Sequence, residues 1–117
     1  MTIVGTLTGT DETTARERLA RMTDSDTEPT LSSSDLDDLL GVSARIDESG
    51  YYRGNTSWTA TWDLNAGAAE GWLRKAGRAA KDFTFAEDGQ RFDRAQVYQH
   101  CMSQHELYAR KGMGVVT

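Results

Sequence analysis

The chain has 117 residues, room for one domain, and a formal net charge of −5 with a sequence pI near 4.9. That acidity argues against a chain-wide grip on nucleic acid, which takes a clustered basic surface and a high pI. A single cysteine, Cys101, excludes an intrachain disulfide, and no apolar run approaches the roughly 20 residues of a membrane-spanning helix.

The core-forming set is thin. Leu, Ile, Val and Phe number 9, 2, 5 and 3 among 117 residues, with three Trp and four Tyr adding buriable area. This predicts a domain that folds but completes part of its burial against neighbours. Charge is uneven, with 11 acidic and 5 basic residues in 1–62 against 7 and 8 in 63–117. The lone cysteine fits a reducing cytoplasm, and no basic stretch followed by an apolar one at the start suggests a secretory signal.

In chain order, residues 1–33 read as an extended N-terminal arm and linker, partly ordered. Ile3, Val4 and Leu7 make a short apolar patch, a strand or a mobile arm. Asp11–Met22 forms a short helix capped by Thr10, with a poor apolar face that is marginal alone. Thr23–Ser33 holds the one proline and reads as linker. Ser34 caps a helix through Leu36, Leu39 and Leu40, which Gly41 ends. Val42, Ala44 and Ile46 alternate as an extended segment, and Asp47–Asn55 is a loop. Trp58, Ala60 and Trp62 also alternate, with no obvious partner strand.

Asp63 caps a long helix to about Asp82. At 100° per residue, Ala68, Ala69, Trp72, Ala76, Ala79, Ala80 and Phe83 share one face, with Leu73 at its edge. Gly67, Gly71 and Gly77 lie inside this helix and are expected to permit close packing. Arg74, Lys75, Arg78 and Lys81 gather on another face, either a solvated surface or a contact with an acidic partner. A β-hairpin over 83–92 follows: Phe83 and Phe85 alternate, and Asp88-Gly89 suits a primed turn. The hairpin tip, Glu87, Asp88 and Gly89, is a candidate partner contact.

Asp93 then caps the last helix, with Gln96 completing a capping box. Its apolar stripe runs through Val97, Tyr98, Cys101, Met102, His105, Tyr108 and Ala109. Leu107 falls nearly opposite and joins Arg74, Lys75, Arg78 and Lys81 as a candidate subunit interface. Gly112 and Gly114 end the helix. The tail Met113 to Thr117, with Val115 and Val116, is either a frayed end or a segment that orders on a partner. The expected fold is therefore mainly α: a small bundle over 34–112 with two long helices joined by the hairpin, plus the N-terminal arm and a 113–117 tail.

No pattern suggests catalysis, a cofactor or a metal. Cys101 and His105 share a helical face, yet zinc sites take three or four protein ligands and no second cysteine exists. Cys101 lies mid-stripe as a small core residue, and His105 reads as a hydrogen-bonded edge residue. Asp37-Asp38 and Glu87-Asp88 are adjacent pairs rather than convergent carboxyls. The glycines lack phosphate-loop spacing.

The run AAEGWLRKAGRAAKDFTFAEDGQRFDRAQVYQHCMSQHELYARK resembles the head–tail connector (adaptor) proteins of tailed bacteriophages, especially long-tailed phages of actinobacteria. Trp72 with Lys75-Ala76-Gly77, Asp82-Phe83-Thr84-Phe85, Asp88-Gly89, Phe92, and Val97 with Cys101 carry the likeness. Upstream, LSSSDLDDLLGVSARID is similar to the family's opening helix, followed by Trp58 and Trp62. The resemblance covers about Leu31 to Lys111 and leaves the first 30 residues unexplained.

It implies a ring of about twelve copies beneath the portal, extending the DNA exit channel and docking the next neck or tail protein. The tail Met113, Val115, Val116 and Thr117 would engage the portal. Genomic DNA would pass without specific binding, repelled by acidic groups in the lumen. The implied location is the virion neck, with the host cytoplasm during assembly and no membrane contact. The alternatives are a small helical nucleic-acid-binding or regulatory phage protein, or another neck component such as a stopper or tail-completion protein.

Overall fold

The computed structural model describes residues 2–3, 6–84, 88–113 and 115–116. It is mainly helical. The described helices are α1 (Glu12–Met22), α2 (Ser33–Ser43), α3 (Leu64–Thr84) and α4 (Asp88–Met113). Short strands β1 (Thr2–Ile3), β2 (Thr6–Thr8), β3 (Thr61–Asp63) and β4 (Val115–Val116) form two antiparallel pairs, β1 with β4 and β2 with β3.

Within the expected arm, α1 is a packed helix. Asp11, not Thr10, caps it by accepting from the Thr14 N–H at 2.7 Å. Ala15 and Leu19 are fully buried. A helix with so few apolar points gains its stability from tertiary packing, and these two residues carry that contact. The segment 23–33 is not a loose linker either. Thr23, Ser25 and Leu31 are buried, and the Leu31 N–H donates to Ser25 O at 2.9 Å.

The cap of α2 is Ser32 rather than Ser34. Its hydroxyl accepts from the Asp35 N–H at 3.2 Å, and the Asp35 carboxylate returns a bond to the Ser32 N–H at 2.8 Å. This capping box is the Ser-x-x-acid pattern. The helix runs through Gly41 to Ser43, so Gly41 does not end it. Leu39 and Leu40 are fully buried, and the burial of Ser43 is met by its hydroxyl donating to Leu39 O at 2.7 Å.

Trp62 finds the partner strand its alternation lacked: β3 pairs with β2 at Thr6–Asp63, Leu7–Trp62 and Thr8–Thr61. The Trp62 indole is buried, donates to Thr10 O at 2.7 Å, and meets Trp58 edge-on at a centroid distance of 5.3 Å. The first core cluster joins Trp62 with Leu19, Leu39, Leu40 and Leu64, while Trp72, Ala76 and Cys101 form a second between α3 and α4.

The expected hairpin over 83–92 is corrected. Phe83 and Thr84 close α3, and Asp88 to Phe92 open α4; residues 85–87 lie outside the described residues. The last helix thus begins at Asp88, ahead of the expected Asp93 cap. A two-stranded hairpin standing alone is marginal, whereas helical continuation satisfies the backbone within each segment. The Ala-rich stripe of α3 also extends at helical spacing to Phe83.

Close approach is required at Gly71, where an added Cβ would stand 2.6 Å from Thr23 Cγ2 and 2.9 Å from Leu39 Cδ1. Gly77 differs from expectation: nothing lies within 4 Å of a Cβ there.

Candidate functional site

Two arrangements of charged side chains stand out, and both sit on the α3 face expected to meet a partner. At the first, Asp35 lies in the first turn of α2, where its capping bond to Ser32 fixes the carboxylate. Arg78, from α3, reaches it with both guanidinium nitrogens, Nη1 to Oδ2 at 2.9 Å and Nη2 to Oδ1 at 2.8 Å. Planar guanidinium and carboxylate match in this fork geometry. Arg78 also donates to Thr30 O at 2.8 Å. The Arg78 bond holds the Asp35 carboxyl far below its usual range, although burial opposes the shift. Arg74 extends the seam to Asp38 at 3.0 Å and Glu70 at 3.5 Å.

The second arrangement centres on Lys75, which is 1% exposed. Its ammonium donates to Thr23 O at 2.8 Å and Asp24 O at 2.7 Å, and sits 4.4 Å from the centre of the Trp72 ring. Burial lowers its pKa, with Cys101, Asp24 and Glu28 opposing the shift. The Trp72 indole donates to Met22 O at 3.0 Å, and His100 meets its ring edge-on at 5.4 Å. Trp72 and Lys75 of α3 thus hold the 22–24 segment. A cleft of about 390 Å³ opens beside them, lined by Asp24, Glu28, Trp72, Lys75, His100 and Cys101 among others.

Lys75 is thus a buried anchor rather than a member of an exposed basic face. Arg74 and Arg78 spend their charge on acids of their own chain. A cation already satisfied by carbonyls or carboxylates has little left for a partner. Lys81 is exposed and lines a polar hollow of about 450 Å³ with Glu28, Asp35 and Arg78. Leu107 is 38% exposed on α4, as its position opposite the stripe predicts.

Of the hairpin-tip residues, Asp88 and Gly89 belong to α4, and Glu87 lies outside the described residues. In the tail, Met113 ends α4, while Val115 and Val116 pair with Ile3 and Thr2 of the same chain. Thr117 lies outside the described residues.

Cys101 is 1% exposed, and burial pushes its thiol pKa up, away from the thiolate that nucleophilic chemistry uses. His105 Nδ1 lies 2.7 Å from Ala69 O, and because a carbonyl only accepts, that nitrogen carries the proton. Among the described residues no group of three or more His, Cys, Asp or Glu is arranged to hold a metal, and no helix is long and apolar enough to cross a membrane.

One organised element escaped the sequence reading. The loop after α2 is built on Asp47, whose carboxylate accepts from the Ser49 and Tyr51 N–H groups at 2.9 Å each and the Thr59 N–H at 2.8 Å. These backbone bonds lower its pKa, Thr59 contributing most. The signal was local: an Asp followed two residues later by Ser favours an Asx turn. No family model, curated protein or solved structure matches the chain.

Proposed function

We propose that this chain is a structural subunit of the head–tail connector (adaptor) class, assembling as a ring beneath the portal of a tailed phage and docking the next neck or tail protein. The motifs around Trp72, Asp88-Gly89 and Cys101 suggest it. The observation that carries the reading furthest is the division of labour among side chains. Arg74, Lys75 and Arg78 are spent inside the fold, while Val42, Ile46, Tyr51, Tyr52, Leu73, Tyr98 and Leu107 remain exposed on a flat body of 55 × 31 × 17 Å. A subunit that completes its burial in an assembly shows this pattern.

The nucleic-acid reading depended on the basic α3 face, and three of its four cations are committed within the chain. The internal pairing of Val115 and Val116 bears on the tail: portal engagement would require β4 to leave β1 or to carry β1 with it.

The test is imaging of the purified chain alone and with its cognate portal. A closed ring stacked on the portal supports the connector reading. A chain that stays off the portal overturns it.

A further inference from the structure

We draw no further inference here: the strongest candidate, the cleft of about 390 Å³ where the 24–28 turn meets α3 and α4, sets the Asp24 and Glu28 carboxylates beside a Lys75 ammonium already engaged by the Thr23 and Asp24 carbonyls, and nothing in the structure shows what would occupy it.

Discussion

Asp35 and Arg78 form a two-point fork between α2 and α3, with both carboxylate oxygens engaged at 2.8 and 2.9 Å. The same carboxylate closes the α2 capping box on Ser32. One acidic side chain therefore starts a helix and fixes that helix against its neighbour.

Asp35→Asn should lose the fork and weaken the cap together. Charged hydrogen bonds are worth about 1.5–3 kcal/mol each in stability. The Arg78 side chain is 43% exposed, so screening reduces its share. A net loss of roughly 2–3 kcal/mol is expected from urea titration. A midpoint within error of wild type would show that the fork contributes nothing.

Stability should also fall in acid. The Asp35 and Asp47 carboxyls titrate below their unfolded values in the folded chain. The unfolded chain therefore takes up protons first, and folded stability is lost as pH drops below about 4 and on through the lower folded pKa values. Thermal melts at stepped pH should decline below that point, and Asp35→Asn should make the decline shallower. An unchanged slope in the variant would remove Asp35 as a contributor.

Lys75→Met keeps most of the side-chain length but leaves the Thr23 and Asp24 carbonyls without their donor. Unsatisfied buried acceptors cost about 1–3 kcal/mol, and the loss should appear in the melting temperature. It should also loosen the 22–28 turn, seen as faster amide exchange in that segment. Exchange unchanged in 22–28 would mean that Trp72 alone holds the turn.

Two glycines of α3 should respond with opposite sign. Gly71→Ala forces a methyl to 2.6 Å from Thr23 Cγ2, so the helix must shift and stability falls. Gly77→Ala meets nothing within 4 Å and should gain about 0.5–1 kcal/mol from helix propensity. Chemical denaturation of both variants checks the pair, and equal effects would contradict the close approach at Gly71.

The sequence alone determined what local chemistry sets. Helical spacing marked the α3 stripe, and Ala68, Ala69, Trp72, Ala76 and Ala79 are all buried. It also marked Cys101 as core and His105 as a hydrogen-bonded edge residue. Asp63 does cap α3, accepting from the Ala66 N–H at 3.3 Å. Helix ends and turns were less legible. Ser34 reads as the cap of α2 until the Asp35 carboxylate is seen to accept from the Ser32 N–H. Asp88-Gly89 is as compatible with a helix start as with a turn, and it opens α4.

Only the tertiary structure decided the fate of the charges. A row of Arg74, Lys75 and Arg78 is periodic whether it faces water, a partner or its own chain, because periodicity gives direction on one helix and not what lies opposite. Asp35, Asp38 and the Thr23 and Asp24 carbonyls come from segments some 35 to 50 residues away, and folding brought them to that face. The partner of Trp62 was hidden for the same reason: β2 lies more than 50 residues upstream, and strand pairing over such a distance leaves no local trace.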